Sequence, residues 1–253
     1  MCDGPQAARN AEFCRRYGLG IEVQAFCVPE LYLEDNPGLL EQTRLETAGL
    51  STVTMHGPYR DLNTGSADRM VRETAAYRYR QAYEMAVALG CSGMVLHNGC
   101  VRKDKRYASW VQNTIVFWKD FLAEEQNDFR NDFTFYLENL CEQGPDMLSD
   151  VLDGIGSFRV RACLDVGHAH CYSLRSVVDW VVALGSRIGY VHLHDNDGQT
   201  DGHFDLGEGT IPFEDVCASL EQCAPRAFWA LEADGGSMVK SLHWLRGKGY
   251  LKP

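Results

Sequence analysis

VRACLDVGHAH, from Val160 to His170, decides the fold. Val160 to Asp165 is a short, largely apolar run of strand length. It ends in a carboxylate and passes at once into Val166-Gly167-His168. A run of that length bounded by turn residues reads as a buried β-strand. Working outward, the plan recurs. Ile188 to His194 and Ala227 to Glu232 follow it, and Phe133 to Glu138, Gly93 to His97, Ser51 to His56 and Gly20 to Phe26 precede it.

Helical patterns lie between these seven runs. The clearest is Met70 to Leu89, where Val71, Ala75, Ala82, Ala86 and Leu89 recur at helical spacing and Gly90 offers a C-terminal cap. A strand, loop and helix unit that returns every ~30 to 40 residues implies parallel strands joined by right-handed crossovers, in a barrel or a doubly wound sheet. The 253 residues suit an α/β barrel folded as one domain, residues 1–253, and no linker or low-complexity tract interrupts them. Ala7 to Tyr17 reads as a helix with no strand ahead of it, so the regular first strand of an eight-stranded barrel is expected to be missing. A second copy of the chain in a homodimer, the Met1 to Gln6 segment or a distorted closure would then have to cover the exposed strand edges.

An apolar share of 45% and a charged share of 23% allow a sizeable core. The formal charge of -11 disfavours a nucleic-acid partner, because phosphate backbones are bound mainly by Lys and Arg. No stretch approaches the ~20 apolar residues of a membrane span, and nothing near Met1 resembles a signal peptide, so a cytoplasmic location is expected. The ten cysteines are scattered singly, without a C-x-x-C pair, and read as mostly buried thiols.

Seven of the eight histidines fall at or just beyond a strand end, and only His243 is expected in a helix. Met55-His56-Gly57-Pro58 and Leu96-His97-Asn98-Gly99 share one plan, an apolar strand closing on an imidazole before a turn. Glu138 closes its strand with a carboxylate, which is costly to bury unless something positive meets it. Then come Asp165 and His168, Val191-His192-Leu193-His194-Asp195, Asp201-Gly202-His203 and Glu232. In a parallel barrel all C-terminal strand ends converge on one face, so ligands distant in sequence meet there. A lone histidine is usually structural, but six successive strand ends carrying His, Asp or Glu point to a metal site. Imidazoles mixed with carboxylates suit zinc, manganese or iron.

On these residues the chain resembles the endonuclease IV group of metal-dependent phosphodiesterases, within the xylose isomerase-like TIM (β/α)8-type barrels. The likeness runs from His56 onward and includes the Gly207-Glu208-Gly209 turn. It implies that His56, His97, Glu138, Asp165, His168, His192, Asp201, His203 and Glu232 match the nine ligands of a three-zinc cluster. His56, His97 and Glu138 would hold one ion; Glu138, Asp165, His192 and Glu232 a second; His168, Asp201 and His203 a third. Divalent zinc, with manganese as the second choice, would serve hydrolysis of a phosphoric ester in a small substrate, with Glu138, Glu232 and His168 as catalytic residues. Two histidines, His170 and His194, depart from the resembled pattern, and the loops read as too short for a large DNA-binding surface. The rival expectation is a sugar or sugar-phosphate isomerase or epimerase. In it Glu138, Asp165, His192 and Glu232 surround one metal, and Glu138 and Glu232 form the acid and base pair.

Overall fold

The structure is a computed structural model and describes residues 7–28, 37–99, 107–124, 129–232 and 238–251. Its elements alternate along the chain: α1 (Ala7–Tyr17), β1 (Ile21–Val23), α2 (Pro37–Thr47), β2 (Val53–His56), α3 (Arg69–Ala88), β3 (Gly93–His97), α4 (Tyr107–Glu124), β4 (Thr134–Glu138), α5 (Asp146–Ile155), β5 (Val160–Asp165), α6 (Val166–Tyr172), α7 (Val177–Leu184), β6 (Ile188–Leu193), α8 (Phe213–Cys223), β7 (Phe228–Leu231) and α9 (Met238–Gly247). The sheet runs in chain order from β1 to β7. The pairs β1 with β2, β2 with β3, β5 with β6 and β6 with β7 are parallel. This is the α/β plan of a TIM-type barrel, with no regular strand ahead of β1 among the described residues. The Met1 to Gln6 segment lies outside them.

The chain divides into two compact units, residues 1–137 with 153–160 and residues 138–152 with 161–253. In the first, Asp68 caps α3 by accepting from the Met70 N–H, and Ala75, Tyr79, Ala82, Tyr83 and Ala86 form its buried stripe. Tyr79 stacks on Trp118 at 6.0 Å between ring centres, Phe121 packs edge-on to both, and Phe135 lies tilted against Trp118. Trp118 is fully buried, and truncating a ring of that size costs about 3–5 kcal/mol. Gly90 follows α3 at φ +75, the left-handed conformation a helix stop favours.

In the second unit, β6 is buried on both faces, as expected of a covered parallel strand. Its register with β5 shifts between Ala162 and Cys163, so that Asp165 pairs with His192. Without the shift Asp165 would lie beside Val191, and His192 would point to the opposite face. One irregular residue therefore aligns two of the site's side chains. A capping box of Ser176 and Asp179 starts α7, whose Val177, Trp180, Val181 and Leu184 are buried.

Three expectations need correction. Phe26 is not in a strand, because β1 ends at Val23 and the chain turns at Ala25. His168 and His170 lie in α6, not in an extended strand end, so His243 is not alone in a helix. Of the cysteines, Cys14, Cys91, Cys163 and Cys217 are buried, but Cys27, Cys171 and Cys223 are only half-buried and Cys141 is disulfide-bonded. Among the described residues no helix is long and apolar enough to cross a membrane.

Candidate metal centre

Four side chains of the second unit converge beyond the strand ends. Glu138 closes β4, Asp165 closes β5, His192 lies near the end of β6, and Glu232 follows β7. One ligand atom from each lies within 4.8 Å of the others. His192 Nδ1 is 3.1 Å from Glu232 Oε2, 3.3 Å from Glu138 Oε1 and 3.6 Å from Asp165 Oδ2. Ligands about 2.0–2.2 Å from one zinc ion are spaced at about this separation. Three carboxylates around one imidazole leave a negative cluster. Glu138, Asp165 and His192 are buried, which makes that charge costly without a cation.

A second group lies beside it. His168 Nε2 and His203 Nε2 each stand 3.3 Å from Asp201 Oδ2. Both rings are aimed by their other nitrogen. His168 Nδ1 donates to the Asn139 carbonyl at 2.9 Å, and His203 Nδ1 donates to the Glu232 carbonyl at 2.9 Å. A carbonyl oxygen only accepts, so Nδ1 carries a proton in each ring and Nε2 is the atom that faces the cluster. Metal-binding imidazoles are oriented in this way. His203 reaches its position at φ +45, a strained conformation for a residue with a Cβ. His194, an extra histidine relative to the resembled pattern, joins Asp201 and His203 in a group able to hold one ion.

The electrostatics follow from this packing. Burial opposes charge on His168, but Asp165, Asp201 and Glu138 outweigh it and raise the ring to about 11. Burial likewise opposes charge on His203, and Asp201 and Glu232 raise it to about 9. Burial would lift Asp165 and Asp201, yet the surrounding imidazoles hold both carboxyls below the usual carboxylate range. Glu142 moves the other way. Burial pushes it up to about 7, although it accepts from the Leu140 N–H at 2.6 Å. Without a metal the histidines thus hold protons where a cation would bind.

The loop after β6 is built around Asp195. Its Oδ2 accepts from the Gly207 and Gly209 N–H groups at 3.0 and 2.9 Å, and its Oδ1 from Asn196 and Ile211 at 2.8 and 3.1 Å. A buried carboxylate satisfied by four backbone donors fixes the Gly207-Glu208-Gly209 turn. A Cβ at Gly209 would lie 2.2 Å from the Asn196 carbonyl, so the turn admits only glycine there. His170 Nε2 meets Thr210 Oγ1 at 2.8 Å and ties α6 to the same loop.

The first unit holds the other two sequence candidates. His56 and His97 lie edge to face, 5.0 Å between ring centres, and Tyr59 is 4.9 Å from His97. His56 Nδ1 donates to the Gly57 carbonyl at 2.9 Å, so this ring too is aimed through Nε2. The Tyr79 hydroxyl donates to the His97 carbonyl, and Asn98 Oδ1 accepts from Trp118 Nε1 at 2.8 Å, which locks the end of β3 to the aromatic core.

The chain belongs to the xylose isomerase-like TIM barrels: the family's model matches residues 14–247. Among relatives, a protein named Probable endonuclease 4 from Staphylococcus epidermidis is 25% identical over 192 residues, 68% of this chain and 63% of its own length. An uncharacterized protein of Methanocaldococcus jannaschii is 28% identical over 178 residues, 67% of this chain and 60% of its own. The matched part of the chain thus spans less than two thirds of either relative. A Thermus thermophilus protein whose crystals were soaked with zinc chloride shares the fold at TM-score 0.81 and 24% identity, covering 98% of this chain and 96% of that one. L-ribulose, D-allulose and D-psicose 3-epimerases share it as well, at TM-scores of 0.65 to 0.73 and 16–18% identity. At these identities the structures show the fold alone.

Proposed function

We propose that this chain is a divalent-metal-dependent enzyme that hydrolyses a phosphoric ester bond in a small substrate. The observation that carries the reading is the second group beside the Glu138, Asp165, His192 and Glu232 set, in which His168 Nε2 and His203 Nε2 each stand 3.3 Å from Asp201 Oδ2. Zinc is the proposed ion and manganese the second choice. The nine proposed ligands are those the resemblance implies, in which Glu138 would serve two of the ions. Clustered divalent cations supply activation of water and neutralisation of phosphate charge.

The chain's own residues do the positioning. Asn139 and the Glu232 carbonyl aim His168 and His203. Asp195 holds the glycine turn that borders the site. Glu138, Glu232 and His168 are the proposed catalytic groups, and in ester hydrolysis they would act by holding the ions that activate water. A small substrate rather than DNA agrees with the formal charge of -11.

One observation favours a second reading: Glu138, Asp165, His192 and Glu232 form a one-ion set complete in itself, which an isomerase or epimerase acting on a sugar or sugar phosphate could use. The test is a panel of phosphomonoesters, phosphodiesters, sugar phosphates and abasic-site DNA, assayed with zinc and with manganese. Ester cleavage lost in Glu232→Gln is expected, with no useful incision of DNA. Sugar interconversion without ester cleavage would select the second reading. Efficient, salt-sensitive DNA incision would overturn the small-substrate assignment.

A further inference from the structure

His194 is a built feature of the site, and the nine-ligand set of the resembled cluster leaves it out. The side chain is fully buried. Its ring lies against the Gly167 backbone so closely that a Cβ at 167 would stand 1.9 Å from Cε1. Its other face stacks on His203, 4.0 Å between ring centres and 3° from parallel. Only glycine at 167 leaves room for this ring, so the fold sets a specific seat for it.

The seat aims Nε2 at carboxylate oxygens. Asp165 Oδ1 and Oδ2 lie at 3.1 and 3.3 Å, and Asp201 Oδ1 lies at 3.8 Å, beyond hydrogen-bond distance. That Asp201 oxygen is buried and has no hydrogen-bond partner. A buried carboxylate oxygen without a donor is an exception that requires an explanation. A role for His194 as partner of Asp165 alone leaves it unexplained. An ion explains it, because two atoms bound to one tetrahedral zinc at about 2.0–2.2 Å stand roughly 3.3–3.6 Å apart, a separation the 3.8 Å pair reaches by closing in by a few tenths of an ångström.

We propose that His194 binds, through Nε2, the ion held by Asp201 and His203, a ligand that the resembled cluster does not supply. The proposal rests on the metal-cluster reading given above. With His168 on the same Asp201 carboxylate, that ion would have four protein ligands.

The test counts ions per folded chain in the wild type, His194→Asn and His194→Cys after loading with zinc and again after a chelator challenge, and records the absorption spectra of the cobalt-loaded proteins. We expect His194→Asn, with three ligands left at that ion, to give up about one ion per chain to a chelator concentration that the wild type withstands. We expect His194→Cys to keep the full complement and to gain a thiolate-to-cobalt charge-transfer band. Should His194→Asn not fold, the cysteine variant carries the test by that band. Retention of every ion by His194→Asn through the chelator challenge as in the wild type, or no band in folded, fully loaded His194→Cys, overturns the role of His194 and leaves the cluster standing. A wild type that holds one ion or none removes the cluster and this proposal with it.

Discussion

Asn139 and Asp165 are joined by two reciprocal hydrogen bonds: Asn139 Nδ2 donates to the Asp165 carbonyl at 2.9 Å, and the Asp165 N–H donates to Asn139 Oδ1 at 2.8 Å. The pair clamps the ends of β4 and β5 together, next to Glu138. The same asparagine offers its carbonyl to His168 Nδ1. One side chain and its backbone thus set two proposed ligands.

Asn139→Ala leaves a buried N–H without an acceptor, which costs about 1–3 kcal/mol. Denaturant unfolding should show that loss. Because Asp165 loses its clamp, zinc affinity should fall by roughly 10- to 100-fold, the usual effect of removing an outer-shell partner. Unchanged stability and affinity would show that the clamp is dispensable.

Protons and metal compete at His168 and His203. In the metal-free protein these rings are raised to about 11 and about 9, so both are charged at neutral pH. Zinc loading near pH 7 should release about two protons per chain, read by calorimetry in buffers of different ionisation enthalpy. The stability follows from the sign of the shifts. A raised histidine contributes fully below its unfolded value, near 6.5, and the contribution disappears as pH rises through the folded value. The metal-free melting temperature should therefore fall from pH 6.5 towards about 9, where His203 titrates. A flat or rising profile would contradict the ion pairing.

Asp195→Asn removes a charged acceptor of four backbone donors. Its amide nitrogen cannot accept, so at least one N–H loses its partner, and about 2–4 kcal/mol of stability should go with it. Hydrogen exchange at Gly207 and Gly209 should accelerate. Unchanged protection there would mean that other contacts hold the turn.

The strand ends were legible because each apolar run closes on one polar residue, and β3 and β5 match the sequence reading to the residue. Helix α6 was not. Asp165 caps it by accepting from the His168 N–H at 2.7 Å, so the ligand-bearing residue is itself the helix start, and seven residues are too few for a periodic stripe. The Asn139 clamp spans 26 residues, and the Asp195 cage closes over 12 to 16 residues for its farther donors, with no local spacing to announce either. His194 was visible only as an extra histidine, because its meaning depends on the space above Gly167. The register shift at Ala162 and Cys163 leaves no mark in composition at all.

The central claim is a cluster of ions rather than one. The most direct measurement is elemental analysis of the purified, zinc-loaded wild type beside Glu138→Ala and His56→Ala. The account predicts at least two ions per wild-type chain, with more metal lost from Glu138→Ala than from His56→Ala, since Glu138 is proposed to bridge two ions and His56 to serve one. One ion or none in the wild type, or equal losses in the two variants, would contradict it.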